Sequence, residues 1–123
     1  MAVPILHQSR YLIATIQSAL SDADLIEFRD ALVERVGEYR SLGVIIDLTA
    51  MDVLDSFASR TLRDIANMIR LRGAETVLVG IQPDVAFSMV QMGFTLQNVT
   101  TRLDMEDGLA YLQTKEGQSA GHS

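Results

Sequence analysis

Residues 44–62 read VIIDLTAMDVLDSFASRTL, where a strand-like pattern is followed by a helix-like one. Its first part, from Val44 to Leu48, is a short and mostly apolar run, which is typical of a central strand buried on both faces. Its last part opens at Ser56 and spaces apolar and polar residues with the period of an amphipathic helix. Asp55 and Ser56 therefore mark the start of a predicted helix, a few residues after the end of a predicted strand.

The elements predicted on either side of this stretch alternate between strand and helix. The strands lie at residues 3–6, 11–16, 43–48, 75–81 and 94–101, and the helices at 21–40, 56–73, 83–93 and 103–115. The first helix opens on a capping box formed by Ser21 and Asp24. The order β-β-α-β-α-β-α-β-α predicts an α/β fold with a mostly parallel central sheet, an antiparallel edge at the N-terminus and about four helices.

Composition excludes several classes of function. The chain has 123 residues and no cysteine, which removes disulfides, thiolate metal sites and a thiol nucleophile. A net charge of −6 argues against binding nucleic acid or an anionic membrane, because both need a basic surface. With two histidines and one lysine, the chain has few groups for acid–base or nucleophilic chemistry. We therefore expect no enzymatic activity, no cofactor, no nucleic acid and no membrane segment.

Three aspartates, Asp47, Asp52 and Asp55, lie near the predicted end of the central strand. Ligands gather at the carboxyl ends of strands in open α/β sheets, so a metal site or a phospho-acceptor aspartate is one interpretation. The other is turn chemistry, in which the short side chains of Asp47 and Thr49 bond the local backbone. The second interpretation is favoured, and we expect neither a metal site nor a catalytic residue.

Ser56 also has two interpretations. As a helix N-cap it would contribute about 1 kcal/mol to stability. Asp55 can already cap the helix, however, so the pair Asp-Ser is more than a helix start requires. A phosphate on Ser56 would add about −1.5 to −2 charges beside the N–H groups at the positive end of a helix, where an anion is tolerated. This arrangement predicts a charge switch whose enzyme is another protein.

The stretch resembles the signature of STAS domains, the sulphate-transporter and anti-sigma-factor-antagonist family. In that pattern an apolar strand ends in Asp-(Leu/Ile)-(Thr/Ser), and Asp-Ser opens a helix a few residues later. Asp47, Thr49 and Asp55 match the pattern by position. The resemblance implies that Ser56 is phosphorylated, with Ser59 as the second candidate.

The residues that follow Ser56 indicate which subfamily of STAS domains the chain resembles. Simple anti-sigma antagonists usually follow the acceptor serine with a small hydroxyl residue and then glycine, whereas this chain has Phe57 and Ala58. The Asp-Ser-Phe form, together with RGAETVLVGIQPDVAFSMVQMG at residues 72–93, is similar to the single-domain scaffold subfamily of the stressosome. The resemblance implies that Phe57 belongs to the partner-binding motif.

The resemblance also implies partners. Scaffolds of this subfamily are cytoplasmic and assemble with themselves and with longer STAS paralogues that carry sensor domains. The particle holds a GHKL-type serine/threonine switch kinase, which phosphorylates the scaffold serine and leaves, and a dedicated phosphatase resets the serine. Two alternatives remain open: a simple anti-sigma-factor antagonist, and a small α/β enzyme with Asp47 and Asp55 around a metal.

The expected domain boundaries follow from composition and from the extent of the resemblance. We expect a single STAS domain over residues 1–115. The last stretch, KEGQSAGHS, consists mostly of small and polar residues, which predicts a disordered tail over residues 116–123.

Overall fold

A single sheet has five strands whose order in space follows the chain. The strands are β1 (Ile5–Gln8), β2 (Tyr11–Thr15), β3 (Gly43–Asp47), β4 (Glu75–Val79) and β5 (Val99–Arg102). β1 pairs antiparallel with β2, and the later neighbours pair in parallel. The computed structural model describes residues 3–17, 20–93 and 99–121, with side chains up to residue 117.

Helices connect these strands and cover the sheet. They are α1 (Asp22–Tyr39), α2 (Ser56–Leu71), α3 (Pro83–Gln91) and α4 (Met105–Gly121). Each of the first three leads from one parallel strand to the next in the same direction, so right-handed crossovers bring all three to one face. α4 follows the last strand and packs on the other face. The predicted α/β class, the mostly parallel sheet, its antiparallel N-terminal edge and the number of helices are confirmed for the described residues.

Over the same described ranges, no helix combines the length and the apolar character that crossing a bilayer requires.

The β1–β2 hairpin is tighter than the sequence indicates. The stretch HQSR is predicted as a turn, but His7 and Gln8 belong to β1, and Gln8 pairs with Tyr11. Only Ser9 and Arg10 form the turn, and Ser9 takes a φ of 55°. The predicted strand ends too early because His7 and Gln8 are polar and show no strand-like apolar pattern. Their pairing with β2 keeps them in the strand.

Two further predictions reach residues outside those described. The predicted strand over 94–101 is observed from Val99, and residues 94–98 lie outside the described ranges. α4 continues to Gly121, across most of the stretch predicted as a disordered tail, and residues 122 and 123 are not described. The single domain over residues 1–115 and the disordered tail stay predictions.

One face of the sheet packs against α1, α2 and α3 through a continuous apolar cluster. Its largest fully buried side chains in the strands and in α1 and α2 are Leu12, Leu32, Val36, Val44, Ile46, Leu62, Ile65, Ile69 and Leu78. The apolar stripe predicted for α2 lies in this cluster, with Ala58 and Ala66 beside the larger side chains. α2 is therefore fixed along its length against the sheet, and its opposite face lies outward.

α4 lies close to the other face because glycines leave room for it. A Cβ added to Gly43 would lie 2.6 Å from Cδ2 of Leu112, and one added to Gly108 would lie 2.9 Å from Cγ1 of Val79. Near the end of α4, Tyr11 donates a hydrogen bond of 2.5 Å to Glu116. Burial, that hydrogen bond and the Glu116 charge together raise the pKa of Tyr11 to about 12.

Two glycines in α4 test this close approach. Gly108→Ala should lower the free energy of unfolding by about 1–2 kcal/mol, because its Cβ meets the side chain of Val79 in the core. Gly117→Ala should raise stability by up to about 1 kcal/mol, because nothing lies within 4 Å of its Cβ and alanine favours helix. Urea unfolding of both variants measures the difference. Equal effects would mean that α4 does not pack on the sheet at this distance.

Candidate functional site

The candidate site lies where β3 and β4 end and α2 begins. The two strands are parallel, with Asp47 opposite Val79, so their carboxyl ends meet at one edge of the sheet. The β3–α2 loop, residues 48–55, leaves this edge and returns the chain to the first turn of α2. The sheet edge therefore fixes the position at which α2 starts.

Asp47 and Thr49 form a compact turn at the start of this loop. Oδ1 of Asp47 accepts hydrogen bonds from the backbone N–H of Thr49 at 2.9 Å and from its hydroxyl at 2.6 Å. The next turn closes with a backbone hydrogen bond from Met51 to Leu48 of 2.9 Å. The turn chemistry predicted for Asp47 and Thr49 is confirmed by these bonds.

Gly80 and Gln82 hold this turn from the neighbouring strand. The backbone N–H of Leu48 donates to the carbonyl of Val79 at 2.9 Å, which brings Gly80 against Thr49. A Cβ on Gly80 would lie 2.0 Å from the Thr49 hydroxyl, and its φ of +70° favours glycine. The Gln82 amide donates a 2.8 Å hydrogen bond to the Thr49 carbonyl. The turn is thus braced by two residues that follow β4.

Sequence reasoning missed the roles of Gly80 and Gln82. Gly80 directly follows a buried strand, and a glycine at that place is the available signal of a close backbone approach. Its partner Thr49 lies more than thirty residues earlier, so the contact depends on how β3 and β4 pair in register. Gln82 carries no pattern that distinguishes it from another polar residue in a loop.

Asp55 is the N-cap of α2. Its side chain accepts a 2.8 Å hydrogen bond from the backbone N–H of Ala58, and its carbonyl accepts one from Ser59 at 3.0 Å. Among the residues that the structure describes, none accepts a hydrogen bond from the backbone N–H of Ser56 or Phe57. The first turn therefore keeps two unpaired donors at the positive end of the helix.

The hydroxyl side chains near the start of α2 differ in exposure. Ser56 is exposed, whereas Ser59 and Thr61 are 4% and 5% exposed. The Thr61 hydroxyl also donates a 2.8 Å hydrogen bond to the carbonyl of Phe57. Ser56 is the hydroxyl in this turn that another protein can reach without unfolding the helix.

The side chains that flank Ser56 make this surface partly apolar. Phe57 is partly buried and packs against the core cluster of the helical layer. Val53, in the β3–α2 loop, is 73% exposed. Asp52 and Asp55 are also exposed, so apolar and acidic groups surround the serine on the loop side.

The three aspartates do not assemble into a metal site. Within the described ranges, no group of three or more histidine, aspartate or glutamate residues is placed to hold a metal ion. One oxygen of Asp47 is engaged by Thr49, and one oxygen of Asp55 caps α2. These carboxylates serve the local backbone in this arrangement.

Comparisons with known proteins agree on one family. The family model described as STAS domain matches residues 2–108. A serine-to-glutamate variant of RsbS from Moorella thermoacetica is 32% identical, with a TM-score of 0.84 over 93% of this chain and 97% of that chain. A structure described as the molecular architecture of the stressosome, a signal integration and transduction hub, is 31% identical, with a TM-score of 0.79 over 92% of this chain and 98% of that one.

A curated relative is longer than this chain. The RsbT co-antagonist protein RsbRA of Bacillus subtilis (strain 168) is 32% identical over 78 residues, which are 63% of this chain and 28% of RsbRA. The chain thus spans little more than a quarter of that relative.

The brace between Gly80 and Thr49 can be tested with two glycines of positive φ. Gly80→Ala should lower the free energy of unfolding by about 2–4 kcal/mol, because its Cβ collides with Thr49 in addition to straining the backbone. Gly73→Ala, whose Cβ has nothing within 4 Å, should lower it by only about 1–2 kcal/mol. Urea unfolding gives both values. A loss at position 80 no larger than that at 73 would contradict the brace.

Proposed function

Because the chain belongs to the STAS-domain family, we propose that it is a non-enzymatic scaffold of a stressosome-type assembly. In this proposal it sequesters a GHKL-type switch kinase and releases that kinase when Ser56 is phosphorylated. A dedicated phosphatase removes the phosphate, and the assembly contains sensor-bearing STAS paralogues. The single observation that carries the proposal is the exposed Ser56 hydroxyl at the start of a helix that Asp55 already caps.

Solvent exposure favours Ser56 over Ser59 and Thr61 as the phosphorylated residue. A kinase must bring the acceptor oxygen into its own active site, which an exposed residue of the first helical turn allows. Ser59 and Thr61 are buried against the core, so their phosphorylation would require the start of α2 to unfold. Ser59 therefore stays the second candidate, and modification of Thr61 is disfavoured on the same ground.

The proposed phosphate changes the surface and leaves the fold in place. It would add about −1.5 to −2 charges next to the unpaired N–H groups of Ser56 and Phe57, where the helix dipole favours an anion. A protein packed over Val53 and Phe57 would meet a dianion in its interface. Desolvation and charge repulsion would then weaken its binding.

The relatives support the same assignment. RsbS and the stressosome structure match nearly the full length of this chain, and RsbRA is described as a co-antagonist of RsbT. The Moorella thermoacetica protein carries glutamate in place of a serine, which is a substitution that imitates part of a phosphate charge. We extend the scaffold role, the paralogue partners and a cytoplasmic location from these proteins to this chain as parts of the proposal.

The second candidate function is a simple anti-sigma-factor antagonist regulated by phosphorylation of the same serine. The unpaired N–H groups and the exposed hydroxyl would serve that function equally well. Phe57 disfavours it, because a bulky, partly exposed ring beside the acceptor differs from the small residues expected there. The size of the complex distinguishes the two functions, since an antagonist acts as a small unit.

Phosphate mapping and kinase capture test the switch at Ser56. With the switch kinase from the same genome and ATP, mass spectrometry should find phosphate on Ser56 in the wild type and none on Ser56→Ala. Immobilised wild type and Ser56→Ala should capture the kinase about equally. Ser56→Asp should capture it at least tenfold less tightly, because an unpaired charge buried in the interface costs more than about 1.4 kcal/mol.

Gln113→Glu is the matched control for added charge. Gln113 is exposed on α4, on the opposite side of the sheet from α2, so this variant should capture the kinase like the wild type. Label on Ser59 alone, or equal capture by Ser56→Asp and the wild type, would sink the proposed switch.

Size-exclusion chromatography with light scattering tests the scaffold role. Mixed with a sensor-bearing STAS paralogue from the same genome, the protein should elute in a particle much larger than either component. Ser56→Ala should assemble normally, because the serine lies on an exposed surface and its hydroxyl supports no contact of the fold. Elution as a small unit in every mixture would favour the antagonist function instead.

A further inference from the structure

The outward face of α2 is basic in a chain that is acidic overall. α2 carries Arg60, Arg63 and Arg70 against one acid, Asp64, whereas the whole chain has a net charge of −6. Ten residues of the chain are lysine or arginine, so this one helix holds nearly a third of the positive charge. These cations lie on an exposed face of the helix, outside the apolar core.

Two of these arginines lie on the same helical face as Ser56. Arg60 follows Ser56 by four residues and Arg63 follows it by seven, which are the spacings of neighbours along one face of a helix. All three side chains are exposed, and the buried stripe of α2 lies on the opposite face. Ser56, Arg60 and Arg63 are called the outward stripe below.

The cations of the outward stripe are not used within the fold. Among the side chains that the structure describes, up to residue 117, neither Arg60 nor Arg63 forms a hydrogen bond, an ion pair or a ring contact. Other arginines of the chain do serve the fold: Arg35 bonds the carbonyl of Ile5, and Arg102 lies over the Tyr111 ring. The guanidinium groups of the outward stripe are therefore available to an external carboxylate or phosphate.

The neighbouring helix restricts where an acidic partner can bind. α1 packs beside α2 and carries six acids against two arginines; the acids are Asp22, Asp24, Glu27, Asp30, Glu34 and Glu38. An acidic surface would be repelled by α1 and attracted by the outward stripe. The charge pattern thus favours a partner with a negatively charged surface and sets the orientation of that surface along α2.

We infer that the outward stripe is the docking surface for an acidic patch on the switch kinase, and that phosphoserine at position 56 pairs with Arg60 of the same helix. This inference rests on the proposed function and deepens it. The phosphate then acts twice: it adds negative charge to the interface, and it takes from the partner one of the two cations that held it.

Arg60 and Arg63 differ in their distance from Ser56 along the helix. Side chains four apart lie about 5–6 Å from each other at their Cβ atoms, within reach of a guanidinium–phosphate pair. Seven residues correspond to about 10.5 Å along the axis, which is too far for Arg63 to reach the same phosphate. Arg60 and Arg63 should therefore contribute alike to docking and differently to the response to phosphate.

Docking is tested by removing one charge at a time. Arg60→Gln and Arg63→Gln should each weaken capture of the unphosphorylated scaffold by about threefold, as expected for exposed ion pairs. The double variant should also lose much of the salt dependence of binding between 50 and 300 mM NaCl. Lys115→Gln, which removes an exposed charge from α4, should bind like the wild type. Glutamine keeps the helix, because its helix propensity is close to that of arginine.

Pairing of the phosphate with Arg60 has a separate measurement. Phosphoserine is introduced at position 56 by genetic encoding, and its second pKa, ordinarily about 6, is followed by ³¹P NMR. A nearby cation favours the dianion, so the pKa should be about 0.3 unit lower in the wild type and in Arg63→Gln than in Arg60→Gln. The loss of kinase affinity on phosphorylation should likewise be smaller in Arg60→Gln than in Arg63→Gln.

The outcomes distinguish this inference from the proposed function. If both arginine variants bind and release the kinase like the wild type while Ser56→Ala still abolishes phosphorylation, the function stands and the docking surface is wrong. If the variants bind the kinase normally but no longer assemble with a STAS paralogue, the outward stripe contacts a neighbouring scaffold, which also overturns the inference. Equal phosphoserine pKa values in all three proteins would overturn the pairing with Arg60.

Discussion

The hydrogen bond from the backbone N–H of Ala58 to the Asp55 carboxylate is the interaction on which the site depends. It caps α2 one residue before Ser56, so the serine lies at the first helical position and its hydroxyl supports nothing. If Ser56 were the cap, a modification of its oxygen would remove the cap and loosen the helix. Because Asp55 is the cap, the Ser56 hydroxyl can be modified without removing the bond that stabilises the start of α2.

That cap is useful only if the helix start has a fixed position, and the sheet provides it. The Asp47–Thr49 turn is held between β3 and the residues after β4, where Gly80 leaves room for the Thr49 side chain and Gln82 bonds its carbonyl. The rest of α2 is held by its apolar face in the core. The rigid parts of the fold thus lie on both sides of an exposed surface that contributes little to stability.

The sequence predicts those features that depend on neighbours along the chain. The apolar stripe of α2, the capping box of α1 and the turn chemistry of Asp47 follow from residues within a few positions of each other. Contacts between distant segments were missed: Gly80 with Thr49 requires the register of β3 and β4, and α4 is held near its end by a bond between Tyr11 and Glu116. Local patterns contain no information on such pairings, which is why neither of these contacts was predicted.

The charge pattern explains why a strongly acidic domain would keep arginines beside its proposed phosphorylation site. An acidic partner approaching most of this surface meets repulsion, so attraction at one helix face orients it without a deep interface. A phosphate placed at the end of that face cancels most of the positive charge of Arg60 and Arg63, while the backbone stays where Asp55 and the core hold it. In the proposed assembly this property is useful, because a switch that left the backbone in place would not disturb the contacts of the scaffold with its other partners. Local electrostatics on a rigid helix can release one partner and leave the others bound.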